Sequence, residues 1–124
     1  MYNNSNVGRK ENQSKIGLIS LRLIIRDMMI SSISINELAS HLGQIPLIDI
    51  RSIESYNSNH IPTAINIPFE KLIVYPERYL KKDQVYYIYC SRGIKSLKAI
   101  QILSRQGYHF IHVNGGYEEW ILKN

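Results

Sequence analysis

The sequence predicts an α/β fold with a mainly parallel sheet, and three observations lead to this prediction. Short strand-like runs alternate along the chain with segments of helical periodicity. The run IPLIDI is almost wholly apolar, which is typical of a strand that is buried on both faces. Segments of helical character separate the strands, as crossovers between parallel strands require. Helices should therefore cover both faces of the sheet.

Residues 31–68 predict three strands and two helices. SSISI (31–35) alternates as a short strand does, and NELASHLG (36–43) follows as a helix capped by Asn36 and ended by Gly43. IPLIDI (45–50) is the buried strand. SIESYNSN (52–59) begins as a helix at Ser52 and ends in turn residues. TAINIP (63–68) is a short strand that a proline ends.

Residues 69–124 predict two more strands among three helical segments. FEKLIVYPERYLKK (69–82) is mainly helical with a break near Pro76, and QVYYIYC (84–90) is rich in β-branched and aromatic residues, as strands are. IKSLKAIQILSRQG (94–107) carries apolar residues at helical spacing and ends at Gly107. HFIHV (109–113) is a further strand. After the turn NGG, YEEWILKN (117–124) is a helix with Trp120 facing the core.

Residues 1–31 are predicted to form an N-terminal extension, and residues 32–124 the folded domain. The first fifteen residues are rich in Asn, Ser and Lys and lack periodicity, which favours disorder. IGLISLRLIIRDMMI (16–30) is either an amphipathic helix that packs on the domain or a partner, or an extension of little consequence. Its internal charges exclude a membrane span and a signal peptide. Met28 or Met29 is an alternative start.

Composition narrows the classes of function. The 124 residues carry a net charge of +5, of which +3 lies in residues 1–31, so no basic patch indicates nucleic-acid binding. One cysteine cannot form an internal disulfide, which favours the reducing cytoplasm. The four histidines lack the spacing of metal ligands. We expect that the domain binds no metal, nucleic acid or membrane. We also expect that it is a monomer or a weak dimer.

Cys90 is the candidate reactive residue because it ends the most strand-like run, and parallel sheets bind ligands at the carboxyl ends of strands. The loop that follows can turn its amide groups toward the sulfur, and Gly93 permits the backbone conformation that this needs. With Arg92 and Lys95 nearby, such a cradle favours the nucleophilic thiolate. The alternative interpretation is a small buried apolar side chain.

Three segments, LIDIRSIESYNSNHIPTAINIP (47–68), YIYCSRGIKS (87–96) and HVNGGYEEW (112–120), together resemble the rhodanese-like single-domain sulfurtransferases. The resemblance begins at about residue 32. It implies a three-layer α/β/α fold with a five-stranded, mainly parallel sheet. It also implies that Cys90 accepts a sulfur from thiosulfate or a persulfide and passes it to cyanide, a thiol or a protein, without a cofactor. The loop that would bind the persulfide consists of Ser91, Arg92, Gly93, Ile94, Lys95 and Ser96.

Three further positions match supporting residues of the family. Asp49 and Arg51 match an Asp-x-Arg motif at a strand end, where the acid can hold loop donors or a basic side chain. Arg51 can pair with Glu54 or another acid. His60 lies in NHIPTA, where we expect it to stabilise a turn by hydrogen bonding. The resemblance thus gives these residues structural roles rather than proton-transfer roles.

Two positions depart from the family pattern, and three others match its closing motif. Asn59 and Thr63 stand where the family usually has glycine. Asn tolerates left-handed backbone conformations, so Thr63 is the larger departure and is expected to alter the turn. Gly115, Gly116 and Trp120 match the closing motif, for which we expect a tight turn and core packing rather than chemistry.

Loop length separates the sulfurtransferases from their relatives that act on oxyanions. Phosphatases and arsenate reductases with a related fold have a cysteine loop that is one residue longer and ends in arginine. In this sequence Ser96 is the sixth residue after Cys90, which indicates the shorter loop. A phosphatase or arsenate reductase is one alternative function, and a non-catalytic module that docks a partner protein is the other.

Overall fold

The structure is a computed structural model, and it describes residues 30–124. The predicted disordered tail and amphipathic segment lie outside the described residues, apart from Ile30 itself, so the boundary of the extension stays a prediction. Five strands form one sheet: Ser32–Ile33 (β1), Leu47–Asp49 (β2), Ile65–Asn66 (β3), Val85–Tyr89 (β4) and His109–Val113 (β5).

The strands lie in the order β1-β5-β4-β2-β3, and every neighbouring pair is parallel. The prediction of a mainly parallel five-stranded sheet is therefore confirmed. Five α-helices connect and follow the strands: Ile35–Ala39 (α1), Ile53–Ser58 (α2), Phe69–Val74 (α3), Ile94–Ser104 (α4) and Gly116–Lys123 (α5). A 3₁₀ turn at Pro76–Arg78 follows α3, in agreement with the predicted break near Pro76.

The helices form two layers around the sheet. In one layer α1 contacts α5, and both pack on a core that contains Leu38, Leu47 and Tyr89. In the other layer α3 contacts α4, and α4 packs on β5. This is the predicted three-layer α/β/α fold. Trp120 packs against the first core, as predicted.

Strand alternation decides which layer each side chain faces. On β4, Tyr87 and Tyr89 belong to the core shared with α1 and α5, so the side chains of even-numbered residues point to the layer that contains α4. Cys90 follows β4 directly and continues this even-numbered series. On β5, Val113 belongs to the first core, so His112 faces the α4 layer as well.

Several element ends differ from the prediction. The N-cap of α1 is Ser34 rather than Asn36, because β1 ends at Ile33 and leaves Ser34 extended, where its hydroxyl accepts a hydrogen bond from the amide of Glu37 at 3.1 Å. The helix itself ends at Ala39, before Gly43. Thr63 adopts a left-handed backbone conformation with φ of +73°. It therefore accepts the turn geometry that a glycine would adopt without strain.

None of the helices within residues 30–124 has the length and apolar character needed to cross a membrane.

Candidate active site

The sulfur of Cys90 lies at the carboxyl edge of the sheet, within a ring of donors from its own loop. The amide of Gly93 donates to Sγ at 3.1 Å, and the amide of Ser96 donates to it at 3.3 Å. The hydroxyl oxygen of Ser96 lies 3.2 Å from Sγ. Only 5% of the Cys90 surface is exposed. The loop therefore surrounds the buried sulfur with hydrogen-bonding groups.

Local sequence explains this loop. Gly93 has φ of +101°, a left-handed conformation that residues with a Cβ rarely adopt, and it brings its own amide back to the sulfur. The helix α4 begins at Ile94, so the amide of Ser96 belongs to the first turn, where amides have no partner within the helix. Such amides and the positive end of the helix dipole stabilise a negative charge on the sulfur.

The closing motif holds the cysteine loop from the other side. The amide of Tyr117 donates to the carbonyl of Cys90 at 2.9 Å, and the amide of Glu118 donates to the carbonyl of Ser91 at 2.9 Å. Gly116 packs directly on these two carbonyls, where a Cβ would lie 2.7 Å from the oxygen of Ser91. The motif forms the expected turn and packs Trp120 on the core, and it also positions the cysteine loop.

A pocket of about 510 Å³ opens in front of the sulfur. Arg92 and Lys95 line it, and each is exposed and faces an exposed carboxylate: Arg92 lies 3.8 Å from Glu118, and Lys95 lies 3.9 Å from Glu70. Exposed pairs at these distances are weak, so both cations stay available to an anion in the pocket. Ser91 and Ile94 complete the loop side of the lining, and Ile94 is largely exposed.

Asp49 and Arg51 form a buried ion pair, and Arg51 also lines the pocket. Arg51 donates to both carboxylate oxygens of Asp49, with a shortest distance of 2.8 Å, and to the carbonyl of Asn59 at 2.6 Å. Its guanidinium also stacks on Tyr117, 4.0 Å from the ring centre. The sequence allowed Glu54 or another acid as the partner of Arg51, and in the structure that partner is Asp49. Arg51 thereby connects the end of β2 to α5.

Tyr89 completes this network from the neighbouring strand. Its hydroxyl donates to Asp49 at 2.6 Å and accepts from the amide of Ile61 at 3.1 Å. Burial and the hydrogen bond to Asp49 raise the pKa of Tyr89 above its ordinary value of about 10. Burial alone would lower the pKa of Arg51, but the hydrogen bond and the charge of Asp49 raise it overall. The network thus favours an ionised arginine beside a neutral tyrosine.

His60 lies in the turn between α2 and β3. Its Nδ1 atom is 2.9 Å from the carbonyl oxygen of Tyr56, and the two rings stack with centres 3.8 Å apart. These contacts match the expected hydrogen bonding in the turn, and His60 is not part of the pocket lining. Within residues 30–124, no three His, Cys, Asp or Glu side chains are grouped as ligands for a metal ion.

His112 is the site residue that the sequence did not reveal. Its Nε2 atom lies 2.8 Å from the hydroxyl oxygen of Ser96, and its Nδ1 atom lies 3.1 Å from Oδ1 of Asn114. A hydrogen-bonded chain therefore runs from the sulfur of Cys90 through Ser96 to His112. The odd spacing of His109 and His112 places them on opposite faces of β5, but only the packing of α4 on β5 brings His112 to the loop.

Comparisons with known proteins show which family and which solved structures this chain resembles. A family model described as Rhodanese-like domain matches residues 34–123. Thiosulfate sulfurtransferase GlpE of Coxiella burnetii is 34% identical over 77 residues, which cover 61% of this chain and 71% of that protein. A probable molybdopterin-synthase adenylyltransferase of Porphyra purpurea is 32% identical over 89 residues, which cover 68% of this chain but only 22% of the relative.

Solved structures show the same fold. A rhodanese-related protein from Thermoplasma volcanium superimposes with a TM-score of 0.68 at 28% identity, covering 76% of this chain and 93% of that chain. The human single-domain sulfurtransferase TSTD1 superimposes with a TM-score of 0.65 at 29% identity, covering 75% of this chain and 96% of that chain.

Proposed function

Because the chain belongs to the rhodanese-like family, we propose that it is a sulfurtransferase in which Cys90 carries the transferred sulfur as a persulfide. The observation that carries this proposal is the set of three loop groups around Sγ, the amides of Gly93 and Ser96 and the Ser96 hydroxyl. They stabilise a thiolate before the reaction, and the pocket beyond them has room for the added sulfur.

The reaction proceeds in two displacements. The Cys90 thiolate attacks the outer sulfur of a donor such as thiosulfate, the donor's sulfur–sulfur bond breaks, and sulfite leaves with the electron pair. A thiophilic acceptor (cyanide in an assay, a thiol or a protein in the cell) then attacks the terminal sulfur of the persulfide. The bond to Sγ breaks, its electron pair returns to Cys90, and the thiolate is restored.

The pocket suits a small anionic donor. Arg92 and Lys95 supply positive charge at the mouth, and Glu70 and Glu118, which face them, are exposed and screened by solvent. An incoming dianion can therefore compete with these carboxylates for the two cations. We place the reaction in the cytoplasm, because a lone catalytic cysteine must stay reduced to accept sulfur.

Mass spectrometry tests the proposal directly. After incubation with thiosulfate, the intact protein should gain one sulfur atom, and cyanide should then release thiocyanate and restore the original mass. Cys90→Ser should abolish both signals because it removes the accepting sulfur while keeping a side chain of similar size. The Ser104→Ala variant, at the end of α4 away from the cysteine loop and outside the pocket lining, is the matched control and should still load sulfur.

Two outcomes would contradict the proposal. The first is an unchanged mass and no thiocyanate although Cys90 reacts with iodoacetamide. The second is steady turnover of an aryl phosphate or of arsenate that Cys90→Ser abolishes, which would assign the cysteine to oxyanion chemistry instead.

A further inference from the structure

A buried hydrogen-bonded chain connects the reactive sulfur to an imidazole. Cys90, Ser96 and His112 are exposed by 5%, 0% and 4%, respectively. Ser96 Oγ lies 3.2 Å from the sulfur and 2.8 Å from His112 Nε2, so one hydroxyl touches both titratable groups. We propose that His112 accepts the thiol proton of Cys90 through Ser96. This inference rests on the proposed role of Cys90 as the nucleophile.

Asn114 determines which nitrogen of His112 is free to accept. The Nδ1 atom faces Oδ1 of Asn114 at 3.1 Å, and a carbonyl oxygen can only accept a hydrogen bond. Nδ1 therefore carries the proton of the neutral ring, and Nε2 carries the lone pair. The Ser96 hydroxyl then donates to Nε2, which leaves its oxygen to accept from the thiol of Cys90.

The proton transfer follows from this orientation. Ser96 passes its hydroxyl proton to Nε2 of His112 and takes the thiol proton of Cys90 in exchange. The thiol S–H and serine O–H bonds break, and a new serine O–H bond and an Nε2–H bond form, so the count of protons is unchanged. In the product, imidazolium donates to Ser96, and Ser96 donates to the thiolate. The thiolate then accepts from Ser96 and from two loop amides.

Three uncharged residues flank His112 in the sheet and loop: Ser32 on β1, Ile88 on β4 and Gly93. A Cβ on Gly93 would lie 3.3 Å from Cε1 of His112, so the glycine also makes room for the ring. The imidazolium and the thiolate are thus opposite charges in a buried site, joined by a single hydroxyl, and each stabilises the other.

Nitrogen NMR of the histidine rings locates the proton. At neutral pH, unmodified protein should show the His112 ring with both nitrogens protonated. In Cys90→Ser, and after alkylation of Cys90 with iodoacetamide, the ring should be neutral and carry its proton on Nδ1, because no thiolate remains to stabilise the imidazolium. A His112 ring in the same state before and after alkylation would overturn the proposal.

Alkylation kinetics give a second readout. His112→Gln retains an amide that can hydrogen-bond Ser96 but cannot take up a proton, so alkylation by neutral iodoacetamide at neutral pH should slow by about tenfold, since an unassisted thiol is only slightly ionised there. His109→Gln, at the exposed start of the same strand, is the matched control and should react at the unmodified rate. An unchanged rate in a folded His112→Gln variant would contradict the relay.

Neither readout requires sulfur transfer. If NMR and alkylation behave as expected but thiosulfate does not load the protein, the relay stands and the proposed function fails. If thiosulfate loads the protein but the His112 ring is unaffected by Cys90, the proposed function stands and the relay fails.

Discussion

The contact between α5 and the cysteine loop makes Gly116 a sensitive position for both stability and activity. Gly116 has φ of +61°, and an added Cβ would meet the backbone oxygens of Cys90 and Ser91. Neither oxygen can rotate away as the end of a side chain could. In Gly116→Ala, the clash must therefore be relieved by moving the loop or the start of α5.

The structure allows an estimate of the cost. A residue with a Cβ in the left-handed region costs about 1–2 kcal/mol. Separating α5 from the loop also weakens the hydrogen bonds from Tyr117 and Glu118 to the loop carbonyls, both 2.9 Å long. At about 1 kcal/mol each, these bonds bring the expected loss to about 3–4 kcal/mol, a large part of the stability of a small domain.

A matched variant separates the two contributions. Gly43 also has a left-handed backbone, with φ of +84°, but a Cβ there would meet nothing within 4 Å. Gly43→Ala should thus show the backbone cost alone, and Gly116→Ala should be less stable than it by about 2 kcal/mol. Urea unfolding, followed by the fluorescence of the single tryptophan Trp120, measures both variants.

The activity of the same variants tests the positioning role. Gly116→Ala should load sulfur from thiosulfate more slowly than the unmodified protein under conditions where it is folded, because the loop amides shift from the sulfur. Gly43→Ala should load it at the unmodified rate. Equal stability of the two variants, together with equal loading rates, would refute the reasoning.

Two further predictions concern Thr63 and the pH dependence of stability. Thr63→Gly should raise the free energy of unfolding by about 0.5–1 kcal/mol, because relief of left-handed strain exceeds the entropy cost of glycine. Thr63→Ala keeps a Cβ and should gain less stability. A loss of stability in Thr63→Gly would contradict this reasoning. Stability should also fall as pH rises above about 10, because unfolded Tyr89 releases its proton there while folded Tyr89 keeps it, so the native state binds more protons. Urea unfolding across this range should show a smaller decline in Tyr89→Phe, and equal declines would disprove the role of Tyr89.

Patterns within short segments predicted the parallel sheet and the position of Cys90 and its loop. The alternation of apolar strands with helices identifies a parallel sheet, because burial on both faces leaves a pattern within each strand. Cys90 and its loop are also local, since the strand, Gly93 and the first turn of α4 follow one another directly. The exact helix cap did not follow from local pattern, because the end of β1 depends on its pairing with β5.

Other features arise only when distant segments meet. Ser96 and His112 are 16 residues apart, and Asp49 and Tyr89 are 40 apart. Both contacts depend on the register of parallel strands and on how α4 packs across β5. The sequence by itself determined the fold class and the sulfur at the sheet edge. Tertiary structure decided which imidazole and glycine support that sulfur and which acid pairs with Arg51, because such contacts depend on strand order and helix packing rather than on neighbouring residues.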